Sequence, residues 1–103
     1  MTSKRSIKDQ LDDLLDRVVD GPGKLFSVVR FAAATGSDVP SVAQAYTEKV
    51  RRHAYKVVDR DVEELKSAGW SEDEIFELTI ATALGAGLSR LEHASRVLQE
   101  ARD

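Results

Sequence analysis

The chain has 103 residues, 42% hydrophobic and 32% charged, which places it among folded globular proteins and makes it one domain able to bury roughly two thirds of its unfolded surface. A formal charge of −3 gives no reason to expect nucleic acid or an anionic membrane as the main partner. With no cysteine, disulfides, thiolate metal sites and thiol catalysis are all excluded.

Met1 to Ser6 lack the apolar run of a signal peptide, and no stretch of the chain approaches a membrane span, so a cytoplasmic location is expected. From there every segment reads as helix. Ile7, Leu11, Leu14, Leu15, Val18 and Val19 recur with helical spacing and form one apolar stripe, which Asp20-Gly21-Pro22-Gly23 ends. Gly21-Pro22-Gly23-Lys24 is not a phosphate loop, because position 18 is valine, position 25 is leucine and no strand precedes it. A second helix is expected over Leu25 to Thr35, with Leu25, Val28, Val29 and Ala32 inward and Gly36 stopping it.

Ser37 or Asp38 is expected to cap a third helix with Pro40 in its first turn and Val42, Ala45, Tyr46, Val50, Ala54 and Val57 on its buried face. Asp59 or Asp61 then starts a short fourth helix, Asp61 with Glu64 being the favoured cap, and Gly69 closes it in the left-handed conformation. Ser71 and Glu74 form an S-x-x-E capping box for the last helix, and Trp70 and Ile75 have the spacing of a hydrophobic staple.

That last helix has an uncharged centre, Ala81 to Leu88, apolar all round and therefore expected to be buried all round. Residues 72–101 in one straight helix would span about 45 Å, whereas a compact chain of this size has a radius of gyration of about 13 Å. Either Gly85 or Gly87 interrupts the helix, or it overhangs and packs on another subunit. The small-residue line Ala81, Gly85 and Ser89 favours close helix packing and self-association, a dimer or higher form. No segment alternates with a period of two. The expectation is an all-α, compact bundle of about five helices with a long buried C-terminal helix. It is a single domain, with residues 1–40 a helical extension and 41–103 the core helices.

The run Ala68-Gly69-Trp70-Ser71-Glu72-Asp73-Glu74-Ile75-Phe76-Glu77-Leu78, followed by the small apolar stretch and Ser89-Arg90-Leu91, resembles the carboxymuconolactone decarboxylase and alkyl hydroperoxidase D (AhpD)-like superfamily over roughly residues 42–100. The resemblance implies a helical, oligomerising scaffold. Redox members of that family carry a C-x-x-C pair, a histidine four residues on and an upstream glutamate. The family spacing, counted back from Gly69, puts the cysteines near Ala54 and Val57 and the histidine near Asp61, so all three are missing.

His53, with Glu48 and Tyr55 as neighbours, is the candidate general base for acid–base chemistry; otherwise it is a surface histidine on a basic helix. His93 lacks the Glu-x-x-His pattern of a metal bundle, since position 90 is arginine, and no metal or cofactor is expected. Lys49, Arg52, Lys56 and Arg60 share one helical face, a candidate anion-binding surface if they are not paired with Glu72, Asp73, Glu74 and Glu77.

Three functions follow. The first is a non-redox binding or structural unit that forms homo-oligomers and takes an unidentified small molecule. The second is a decarboxylase- or lyase-type enzyme with its pocket at a subunit boundary. The third is an anion or nucleic-acid binder using residues 49–60.

Overall fold

The computed structural model describes residues 7–102. It contains five α-helices: α1 (Ile7–Asp20), α2 (Ser27–Thr35), α3 (Ser41–His53), α4 (Asp59–Ser67) and α5 (Glu72–Arg102). A single 3-10 turn, Ala54–Lys56, links α3 to α4, and no strand occurs among the described residues. The expectations for Met1–Ser6 and for the Ile7 side chain lie outside the described residues.

Helix α5 runs unbroken for 31 residues, through both Gly85 and Gly87. The molecule is correspondingly elongated, with extents of 51 × 29 × 21 Å and a radius of gyration of 15.5 Å. Helix α2 lies along α5 with the largest interface in the molecule, α1 flanks both, and α3 packs on α5 beside them. One cluster runs through all of them: Val19, Leu25, Ala33, Ala34, Val39, Ala43, Tyr46, Val50, Leu65, Ile75, Leu78 and Ala81. Residues before Pro40 therefore belong to the core rather than extending it.

The local grammar between α4 and α5 works as the residues dictate. Gly69 has φ +99°, and the Trp70 N–H reaches the Leu65 carbonyl while the Gly69 N–H reaches Lys66, a Schellman closure. The Ser71 N–H donates to Glu74 Oε1 at 2.9 Å, and the Glu74 N–H donates to Ser71 Oγ at 3.1 Å. Trp70, between α4 and α5, is partly buried and packs against the core cluster to which the buried Ile75 belongs.

Several expectations are corrected. Helix α2 begins at Ser27, and Val28 faces solvent, because Arg30, Ala33 and Ala34 form the buried face. Neither Ser37 nor Asp38 caps α3. Pro40 occupies the cap position itself, at φ −51° and ψ 140°, with Val39 before it buried in the core. The buried face of α3 is Ala43, Tyr46, Thr47 and Val50, which leaves Val42, Ala45 and Ala54 exposed. At the start of α4 the Asp61 carboxylate accepts from the Val58 N–H at 2.9 Å, so Asp61 is the third residue of the turn rather than the cap.

The centre of α5 is buried on one side only. Ile75, Leu78, Ala81, Thr82, Gly85, Ala86 and Leu88 face the core, while Phe76, Ile80, Ala83 and Gly87 stay exposed. From His93 onward every described side chain of α5 is exposed.

Candidate functional site

His53 ends α3 and is exposed, and Tyr55 follows it in the 3-10 turn, 81% exposed. Their rings meet edge to face with centroids 6.0 Å apart. Glu48 is turned the other way, its carboxylate shared between Arg52 Nε and, at 3.6 Å, Arg51 Nη1. Glu48 lines a cleft that neither His53 nor Tyr55 enters, so the structure does not bring the three onto one cavity.

The basic face expected for Lys49, Arg52, Lys56 and Arg60 does not form, because α3 stops at His53 and the helical register is lost before residue 56. Lys49 Nζ instead bridges to Asp61 Oδ1 on α4 at 2.8 Å. The Lys49 ammonium bonded to it, followed by the Val58 N–H, holds the Asp61 carboxyl below its usual range. Lys56 Nζ lies 5.9 Å from the centre of the Tyr55 ring, and Arg60 is exposed.

The acidic segment is occupied elsewhere. Glu72 pairs with Lys66 at 2.9 Å, Glu74 caps α5, and Glu77 accepts the N–H groups of Lys24 and Leu25 just ahead of α2. Helix α2 has no side-chain cap of its own, so the Glu77 carboxylate supplies negative charge to its N-terminal end from another element.

Ala81 and Gly85 are buried against the core, and Ser89 is exposed at the rim of the cleft that Glu48 lines. This cleft, about 320 Å³, lies where the end of α2, the second half of α3 and the middle of α5 meet. Its floor is Ala34, Gly85 and Ala86, and three guanidiniums, Arg51, Arg52 and Arg90, stand around it with Glu48 as the one carboxylate. Arg51 Nη2 donates to the Ala33 carbonyl at 2.6 Å, and Arg90 Nη2 donates to the Arg51 carbonyl. Gly36, at φ +74°, leaves room for the Arg51 guanidinium, whose Cζ would sit 3.3 Å from a Cβ there.

Sequence reasoning places Arg51 and Arg52 in the basic segment 49–60 but does not single out Arg90, and no spacing rule relates position 51 to position 90. Arg51 and Arg90 meet because α3 packs on α5, where Arg90 donates to the Arg51 carbonyl. Among the described residues no group of three acidic or histidine side chains is placed to hold a metal ion, and no helix is long and apolar enough to cross a membrane. Comparison with protein-family models, with curated proteins and with solved structures gave no match to this chain.

Proposed function

We propose that this chain is a non-redox helical unit of AhpD-like type that binds rather than transforms its ligand and works as a homo-oligomer assembled through the uncovered face of α5. Its 103 residues hold no cysteine, so the thiol chemistry of the redox relatives has no nucleophile here. The observation that carries the reading is the row Phe76, Ile80, Ala83, Gly87, Ala94 and Leu98, all exposed and all on the side of α5 away from the core. Phe76 is 65% exposed, an unusual position for a phenylalanine on a helix that is elsewhere half buried.

From Phe76 to Gly87 the row steps by four, three and four residues, and beyond Arg90 the same face continues with Ala94 and Leu98, the seam that packs one helix along another at a shallow angle. Two copies of α5 crossing antiparallel about Gly87 set Ile80 opposite Ala94 and Phe76 opposite Leu98, bulky against small or flexible at each step. The same crossing brings Asp73 at the start of α5 in one copy towards Arg102 at its end in the other, which supports a self-complementary, two-fold arrangement.

Sedimentation equilibrium over a range of concentrations tests the assembly. The expected result is a reversible oligomer that Ile80→Glu converts to a monomer with unchanged helical circular dichroism. A wild-type chain that stays monomeric throughout the range overturns the proposal.

A further inference from the structure

We infer that the cleft between α2, α3 and α5 is a binding site for a small organic oxyanion, a carboxylate or phosphate group carried on a short apolar body. The argument begins with charge. Arg51, Arg52 and Arg90 converge on a space of about 320 Å³ in which Glu48 is the only acidic side chain among the described residues, so the lining they form carries two uncompensated positive charges. Like charges gathered in a concave, partly desolvated space repel one another more than they do on an open surface. A bound anion relieves that repulsion.

Donor geometry supports the same class of ligand. A guanidinium has five N–H donors in a rigid fork. The contacts within the fold engage one or two nitrogens of each: Arg51 on the Ala33 carbonyl and Glu48, Arg52 on Glu48, and Arg90 on the Arg51 carbonyl. Donors therefore remain on all three for an oxyanion, which accepts paired N–H groups side by side.

Two of the three side chains are also held in place before any ligand arrives. The Arg51 side chain is only 22% exposed and tied to the end of α2, and Arg90 is tied to the backbone of Arg51 itself. Arg52, at 69% exposed, is the most open member, held by Glu48 alone, and a ligand reaches it from solvent. The floor of Ala34, Gly85 and Ala86 offers no hydrogen-bonding side chain, and it suits the carbon body of a ligand whose charged head meets the arginines. The Ser89 hydroxyl at the rim adds one further donor.

Every residue that builds the site comes from one copy, so the site is complete without self-association. The test is a titration of the isotope-labelled full-length chain with inorganic phosphate, with succinate and with a short single-stranded oligonucleotide, followed by nuclear magnetic resonance. Saturable shifts confined to residues 34–36, 48–52 and 85–90 are expected with phosphate, succinate or both, and the stronger of the two identifies the head group. Arg52→Gln, at an exposed position that leaves the packing intact, should weaken that binding about tenfold, and Arg90→Lys should weaken it while keeping the charge, because the fork is lost.

Absence of saturable shifts with both small anions overturns the inference, as does binding that is equally strong in Arg52→Gln. Shifts produced by the oligonucleotide alone and centred on Lys56 and Arg60 also overturn it, in favour of a solvated nucleic-acid surface.

Discussion

Gly85 of α5 lies directly against the backbone of Ala34 on α2: a Cβ built at Gly85 would stand 2.0 Å from the Ala34 carbonyl oxygen and 2.7 Å from its Cα. No rotamer change relieves such a contact, since both partners are main chain. The absent side chain is what allows α2 to lie along α5, and with it the cleft above them to close.

Gly85→Ala should therefore destabilise the chain despite alanine's higher helix propensity. Overpacking costs roughly 1–3 kcal/mol, and the propensity gain of about 1 kcal/mol offsets only part of it. Gly87, two residues on, is exposed, and a Cβ placed there would meet no atom within 4 Å. Gly87→Ala should stabilise the dissociated chain by up to about 1 kcal/mol. Urea unfolding of the two variants in dilute solution should give shifts of opposite sign.

The start of α5 gives a second expectation. Ser71 and Glu74 exchange backbone–side-chain hydrogen bonds at 2.9 and 3.1 Å. Ser71→Ala removes the acceptor for the Glu74 N–H and should cost about 1 kcal/mol, seen as a lowering of the melting temperature by roughly 4–8 °C for a domain of this size. Ser71→Asp retains an acceptor at the helix N-terminus and should hold stability close to that of the wild type.

The Lys49–Asp61 bridge makes stability depend on pH in a definite direction. Because its folded value lies below the ordinary 3.8, Asp61 contributes stability that is fully present above that value and is lost as the pH falls through the depressed one. Asp61→Asn should reduce stability by a constant amount near neutrality. The gap to wild type should narrow once the pH drops below 3.8, which denaturant midpoints measured down the acid limb will show. A gap that stays constant into strong acid would mean that the charge of Asp61 contributes nothing.

How far these features can be read from residues alone depends on whether the cause is local. The Gly69 closure, the Ser71–Glu74 box and the helical identity of every segment are decided within a few residues, and they are legible. The phase of α3 is not, because Val42 and Ala45 fit an apolar stripe as well as Ala43 and Thr47 do, and only the position of α5 selects between them. Tyr46 shows how the choice is fixed: Thr79 gives its single hydroxyl proton to the Ile75 carbonyl, so the Tyr46 hydroxyl donates to Thr79 Oγ1 at 2.6 Å. The arginine cleft draws on three helices far apart in sequence, so its residues share no motif. The uncovered row on α5 is half legible: its apolarity is plain, but which side the core leaves open is not.

Glu77 is the clearest case of a residue whose role no local pattern reveals, and it yields the final prediction. Its carboxylate accepts the Lys24 N–H at 2.8 and 3.0 Å and the Leu25 N–H at 2.7 Å, tying the turn after α1 to the second turn of α5. Gly23 makes the approach possible, since a Cβ there would lie 2.3 Å from Glu77 Oε1 and 3.3 Å from Arg30 Nη1. Arg30, buried at 5% exposure, holds the other side of the turn by donating from Nη1 to the Val18 carbonyl at 2.7 Å. Glu77→Gln replaces charge-assisted bonds by neutral ones and should cost about 1–2 kcal/mol. Gly23→Ala should cost a similar amount, because the methyl group must displace the same carboxylate from the same donors. The double variant then has little left to lose, so its destabilisation should fall well short of the sum of the two singles. Full additivity would show that Gly23 is required for the turn itself and not for the bond to Glu77.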